Sequence, residues 1–286
     1  MRLAGYIRKR WHPLHRLRKQ AWFIRALPWF DVPILARVGF RRPIYLRLIT
    51  HSPFYLLGYR MGSRAFDVFE ALIHDLPRDG CFYDIGSNIG VYSFAACEWR
   101  PDITVLSVEP DPDLVKLLNR TSKRWGLKRH RVLPAAASDV GGETLFEIDR
   151  STSATGQIAG KEGESFQQRH FGVLGQRITV RTVSVDELAE RFPSPGLVKV
   201  DVEGHEDAVF EGAIATLAAR RPTWIFESFA PKNRQMRLRL EGLDYLLWDV
   251  DRPGRVTDET TNFLAIHPDR LSVVLRKRLN ELGIAV

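Results

Sequence analysis

The sequence predicts an α/β protein: an open, mostly parallel seven-stranded sheet with helices on both faces and an antiparallel hairpin at one edge. Three observations predict it. From residue 81 onward, short apolar runs alternate with segments of helical period. The runs, such as "CFYDI" (81–85) and "LVKVDV" (197–202), are apolar almost throughout, as strands buried on both faces are. The first run also leads into "DIGSNIG" (84–90), a glycine-bearing turn of the kind that joins strand to helix where an open sheet binds its ligand.

Taken in order, residues 1–30 form a basic, aromatic arm. Residues 31–60 hold the runs "PIYLRL" and "SPFYLLGY", divided by Pro and Gly, and fit a small cap of strands or turns. Residues 1–60 thus make an arm and cap, and 61–286 the main domain. In "RAFDVFEALIHDL" (64–76), Phe66, Phe69, Leu72, Ile73 and Leu76 fall at helical spacing. Strands are expected at "CFYDI", "ITVLSVE", "RVLPAA", "LVKVDV", "TWIFES", "LDYLLWDV" and "NFLAIH". Helices are expected near 89–98, 111–125, 184–191, 206–219 and 231–241. Only "DRPGRVTDETT" separates the last two strands, which predicts the edge hairpin. A basic helix over 268–282 closes the chain, with Leu271, Val274, Leu275, Leu279 and Leu282 as its packing face. Residues 141–176, rich in Gly, Ser, Thr and charge, break the alternation. They read as an insertion leaving the third strand on the ligand side, and a substrate lid is the expected role.

Net charge is +8, and its placement is uneven. Residues 1–30 carry Arg2, Arg8, Lys9, Arg10, Arg16, Arg18, Lys19 and Arg25 and no acid, whereas the remaining 34 Lys and Arg balance 34 Asp and Glu. Trp11, Trp22, Phe23, Trp29 and Phe30 are interleaved with those charges. Such an arm suits an anionic membrane surface or a phosphate backbone, or it packs its aromatics on the body and leaves its charges in water. No run of 18 residues is free of charge, and the basic start lacks a signal-peptide core and cleavage site. A cytoplasmic protein is expected, with peripheral contact at the inner membrane surface open through residues 1–30. Cys81 and Cys97 form no CxxC and lie near no His cluster, and they read as buried structural thiols.

The glycine turn narrows the ligand. A dinucleotide fingerprint needs G-x-G-x-x-G so that backbone can touch a pyrophosphate, and Asn88 stands where the second glycine would be. Asp84 at the strand end would repel a diphosphate but favours a cationic ligand. S-adenosyl-L-methionine, with an ammonium, a sulfonium and no phosphate, fits Asp84, Gly86, Ser87, Asn88 and Gly90. Glu109, 19 residues past Gly90 at the end of the second strand, is placed to grip ribose hydroxyls. Ser138 and Asp139, at the exit of the third strand, either reach the adenine edge or simply form a turn.

The fourth strand delivers "DVEGHED" to the same edge. Glu206 and Asp207 sit in the first turn of the next helix, where acids offset its dipole. Asp201, Glu203 and His205 are the candidate catalytic residues, each able to act as general base or to orient an acceptor hydroxyl. The cluster has the chemistry to hold a divalent cation, although no metal site is assigned. Glu227, ending the fifth strand, faces this edge too.

"FYDIGSNIGVYSFAA", "VLSVEPDPDLVKLLNRT", "TVSVDEL" and "LVKVDVEGHEDAVFEGA" together resemble the FkbM family of S-adenosylmethionine-dependent methyltransferases over roughly residues 80–228. The resemblance implies a class I methyltransferase (Rossmann-like) sheet and O-methylation of a hydroxyl on a sugar, glycan, glycolipid or natural product. It implies cofactor contacts at Asp84, Gly86, Asn88, Gly90 and Glu109, and a reaction side running from Asp201 to His205. Three other functions compete. A nucleic-acid methyltransferase would use the basic arm as a clamp, but the fourth strand ends in "DVEG" and not in a base-methylating N-P-P-Y. A membrane-associated module would hold the cofactor without chemistry. A nicotinamide dehydrogenase is disfavoured by Asn88.

Overall fold

The computed structural model describes residues 20–39, 41–56, 63–148, 156–158, 175–230, 233–252 and 254–286. The chain divides into two compact units, residues 1–61 with 145–179 and residues 62–144 with 180–286. Most of the arm, 1–19, lies outside the described residues, as do 149–155 and 159–174 of the expected lid.

In the first unit a helix, Ala21–Phe30, leads into strands β1 (Pro33–Ala36) and β2 (Ile44–Arg47), antiparallel with Pro33 opposite Arg47, and then a short helix, Ser52–Leu56. One acid organises this hairpin. Asp31 is buried, and its Oδ1 accepts the Ile49 and Thr50 amides at 2.6 and 3.1 Å, while its Oδ2 takes the Thr50 hydroxyl. Arg47 Nη1 donates to the Asp31 carbonyl at 3.0 Å, so the end of the helix is tied to the end of β2.

The other strands are β3 (Cys81–Ile85), β4 (Thr104–Val108), β5 (His130–Leu133), β6 (Ala136–Ala137), β7 (Gly142–Ile148), β8 (Gln157–Ile158), β9 (Gln176–Val183), β10 (Leu197–Val200), β11 (Thr223–Glu227), β12 (Leu246–Asp249) and β13 (Asn262–Ile266). Seven of them form one sheet in the order β12-β13-β11-β10-β3-β4-β5. β5, β4, β3, β10 and β11 are parallel, and β13 runs antiparallel to β11 and β12. Successive β3 residues serve opposite faces, which is why the run is apolar without alternation. Tyr83 and Ile85 join a core with Leu188, Phe210 and Trp224, while Phe82 packs on Phe69 of the helix Arg64–Asp75 at 5.1 Å between ring centroids. Phe226 of β11 stacks on Phe263 of β13 at 4.9 Å.

Three local expectations are corrected. Residues 142–148 are strand, with β7 pairing β8 antiparallel and β6 pairing the end of β9 in parallel. The helix expected over 206–219 stops at Glu211, because Gly212 brings the chain against the Ser138 carbonyl, where a Cβ would overlap; a π turn, Thr216–Arg220, follows. The closing helix begins at Val273. Its cap is Ser272, whose hydroxyl accepts the Leu275 amide at 2.9 Å and donates to Asp75 at 2.6 Å. Leu275 and Leu279 of that helix are buried, but Val274 is exposed. Cys81 and Cys97 are buried free thiols, each pushed up to about 12 by burial.

Candidate active site

The site is built where β3, β4 and β10 end. After Ile85 the chain turns through Gly86 and Asn88, both at positive φ (72° and 52°), and Gly90 at 79° starts the helix Val91–Trp99. The turn is pinned to its neighbours. Gly86 and Ser87 amides donate to the Val108 carbonyl at 3.0 and 3.1 Å, and the Gly90 amide donates to the Ser87 carbonyl at 2.8 Å. A Cβ on Gly86 would overlap the Asp201 carbonyl oxygen. One on Gly90 would lie 2.6 Å from Leu118 and 2.7 Å from Phe94. Both glycines therefore answer to close approach as well as to backbone angle.

Glu109 clamps this turn from β4. Its Oε2 accepts the Asn88 amide at 2.8 Å and its Oε1 the Asp111 amide at 2.9 Å, and the side chain is buried. Burial pushes its carboxyl up to about 8, against the lowering pull of those two amides. Glu206, raised by burial to about 7, accepts the Gly204 amide at 3.0 Å. Both acids bind protons more tightly folded than unfolded, so each withdraws stability as pH rises from its ordinary 4.5 toward its folded value. Between pH 7 and 8 mainly Glu109 is still titrating. Urea unfolding is expected to show the wild type losing about 1 kcal/mol to this group across that interval, with Glu109→Gln markedly flatter. Equal slopes would remove Glu109 as the source.

Asp84 lies buried at the end of β3. Its Oδ2 accepts the Ser93 amide at 3.0 Å and the Ser93 hydroxyl at 2.6 Å. Its Oδ1 has no hydrogen bond and lies 3.9 Å from Nζ of Lys199. Desolvation raises the Asp84 carboxyl and Lys199 pulls it back down. Lys199 is a site residue that the sequence does not announce. In register with Asp84 across the β3–β10 pairing, its side chain is 7% exposed, and its ammonium lies 3.1 Å from Asp201 Oδ2 and 4.8 Å from the centre of the Tyr92 ring. A polar chain continues inward from Ser93 to Ser107 (2.6 Å) and on to His130 Nε2 (2.8 Å). With Ser93 donating to Asp84 and Ser107 donating to Ser93, His130 must carry its proton on Nε2. Burial holds that imidazole down near 4, so it stays neutral.

On the β10 side, Asp201 is partly buried, Glu203 is exposed in a turn at φ 53°, and His205 is half-buried at the start of the helix Glu206–Glu211. Ser138 Oγ lies 3.0 Å from His205 Nε2 and donates to Asp139 Oδ1 at 2.7 Å. The fold thus brings together Gly86 with Asp201, Asn88 with Glu109, and Ser138 and Asp139 with His205. It leaves Glu203 in solvent and Glu227 half-buried at the end of β11. Among the described residues, no group of three or more His, Cys, Asp or Glu gathers as metal ligands.

The sheet order and the glycine turn define a class, and the sequence match supplies its family. Residues 84–247, more than half of the chain, match the methyltransferase FkbM domain, and the chain belongs to this family of methyltransferases. It is 32% identical over 150 residues to the hexuronic acid methyltransferase AglP of Haloferax volcanii, a match that takes in 51% of this chain and 55% of AglP. The chain thus spans about half the length of that curated relative. Among solved structures, a methyltransferase FkbM from Methylobacillus flagellatus aligns with a TM-score of 0.45 at 14% identity, over 71% of this chain and 59% of that one. TYW2 of M. jannaschii, solved with AdoMet, aligns with a TM-score of 0.43 at 8% identity, over 82% and 84%.

Proposed function

We propose that this methyltransferase uses S-adenosyl-L-methionine to methylate a hydroxyl oxygen of a sugar, within a glycan, glycolipid or natural product. The observation that carries the proposal is the glycine turn held by Glu109 directly beside Asp201, with His205 on the same edge. The cofactor fits that turn. Gly86 and Gly90 let the turn close tightly, since the Asp201 carbonyl, Leu118 and Phe94 already fill the space a Cβ would need, and carboxyls at Glu109 and Asp201 suit a cationic, hydroxyl-bearing ligand better than a phosphate. Gly86, Ser87, Asn88, Gly90 and Glu109 would hold it, with Asp84 supporting the turn through Ser93 and Ser138 and Asp139 at the adenine side. When bound, it supplies an electrophilic methyl group on a sulfonium.

The chain's own work is then positioning and proton removal. A neutral hydroxyl is a poor nucleophile, and Asp201 Oδ or His205 can take its proton. Lys199 keeps Asp201 in place from below. The likeness to a hexuronic acid methyltransferase favours an acidic sugar as acceptor.

Transfer of labelled methyl from S-adenosylmethionine into uronic-acid oligosaccharides tests this. The expected product is an ether stable to mild alkali. An alkali-labile label would mean a carboxyl ester and overturn hydroxyl transfer. Asp201→Asn is expected to lower kcat by roughly 10²- to 10⁴-fold, the range for losing a general base, with cofactor affinity by calorimetry unchanged. A fully active Asp201→Asn would pass the role to His205.

A further inference from the structure

Residues 1–61 contain thirteen Lys and Arg and a single acid, Asp31. That one carboxylate is buried and accepts the Ile49 and Thr50 amides and the Thr50 hydroxyl. The stretch therefore offers solvent no negative side chain at all. The described residues of this stretch also carry apolar surface. On the helix Ala21–Phe30, Trp22 is 62%, Trp29 82% and Phe30 61% exposed, whereas Leu27 is buried. Trp22 and Trp29 are two turns apart and so share the outward face. Val32 and Leu35 extend the exposed apolar surface into β1.

We infer that the helix Ala21–Phe30, β1 and the exposed arginines of the β1–β2 connection form a docking surface for an anionic lipid bilayer, with Trp22, Trp29 and Phe30 seated at headgroup level. Tryptophan favours that depth, where an apolar ring meets a wet boundary. Each Lys or Arg near an anionic leaflet strengthens binding roughly fivefold, and the attraction fades within a Debye length. A nucleic acid would use the cations and could stack on the rings, but it gives no reason for Val32 and Leu35 to lie exposed alongside them. Arg41 and Arg42, exposed in the β1–β2 connection, supply charge on the hairpin that follows the aromatic helix.

Flotation of the full chain tests this, using phosphatidylcholine vesicles with and without phosphatidylglycerol. The chain is expected to float with the anionic vesicles and not with the neutral ones, and added salt should release it. Trp29→Ser should weaken partitioning roughly tenfold, since its ring no longer leaves water. Arg41→Gln with Arg42→Gln should weaken it roughly thirtyfold, the product of the two charges removed. Trp29 is exposed, so an unchanged melting temperature should accompany its loss, and Arg41→Lys with Arg42→Lys, which keeps the charge, should partition as the wild type does. The inference is overturned if the chain does not float, or if it floats equally with both lipids. It is also overturned if Trp29→Ser partitions normally, or if the arginine pair proves neutral. Duplex DNA that competes fully while Trp29→Ser is silent would assign the surface to nucleic acid.

Discussion

Replacing Gly86 by alanine is expected to cost roughly 3–5 kcal/mol, well beyond an ordinary glycine substitution, and to abolish methyl transfer. Two penalties add. At φ 72° any Cβ meets the strain of the left-handed region, about 1–2 kcal/mol. The larger penalty is overlap with the Asp201 carbonyl oxygen, which cannot step aside freely because the Asp201 amide is bonded to the Ile85 carbonyl at 3.1 Å. The turn is equally held, by the bonds from Gly86 and Ser87 to Val108. Gly126 provides the control. It has φ 66°, and a Cβ placed there would meet no atom within 4 Å, so Gly126→Ala should show the backbone strain alone. Chemical denaturation of the two variants isolates the overlap. If Gly86→Ala were no worse than Gly126→Ala, the close packing of turn against β10 would be wrong. The activity loss follows from the same geometry, since any shift that relieves the overlap moves Asp201 away from the turn.

What was legible in the sequence was what lies close together along the chain. The glycine turn, the acid ending β4 and the acidic edge after β10 each sit in one short stretch, with the residue types their backbone angles and strand ends require. The inner strands β3, β4, β10, β11 and β13 were legible for the same reason, because burial on both faces leaves an apolar run, whereas the edge strands β5 and β12 are only partly buried. What was not legible depends on register. Lys199 reads as one polar residue in "LVKVDV" until the β3–β10 pairing sets it beside Asp84. Ser93, Ser107 and His130 form a chain only because the helix Val91–Trp99 meets the parallel strands β4 and β5 there. Ser138 and His205 each stand out along the chain, but the bond between them joins residues 67 positions apart and depends on tertiary packing. β9 is a different case. The alternation of Ile178, Val180 and Thr182 with Thr179 and Arg181 is present in the sequence but overshadowed by the polar stretch before it.

Lys199→Met is expected to destabilise the protein by roughly 3–5 kcal/mol at neutral pH, the cost of stripping a buried carboxylate of its counter-ion. Methionine keeps most of the packing volume and can still lie on the Tyr92 ring, so lost contact area is a minor part of the effect. Asp84 bears the consequence. Almost fully buried, it would keep only the Ser93 amide and hydroxyl, and desolvation already raises its carboxyl with Lys199 present. Without the ammonium its folded pKa rises further above the unfolded value. The penalty is therefore absent well below the unfolded pKa and grows as pH rises through the folded one. The destabilisation should accordingly be smaller at pH 5 than at pH 8, whereas a packing defect would be the same at both. Adding Asp84→Asn removes the stranded charge and should recover much of the loss, a coupling that a double-mutant cycle measures directly. Asp201, partly open to water and able to hydrate, should contribute less to that coupling than Asp84. A pH-independent loss with no recovery in the double variant would mean that Lys199 is held for its packing alone. The predicted pattern instead makes it the cation that allows two acids to stand side by side at the ends of β3 and β10, and so lets one sheet edge both hold the glycine turn and carry the proposed base.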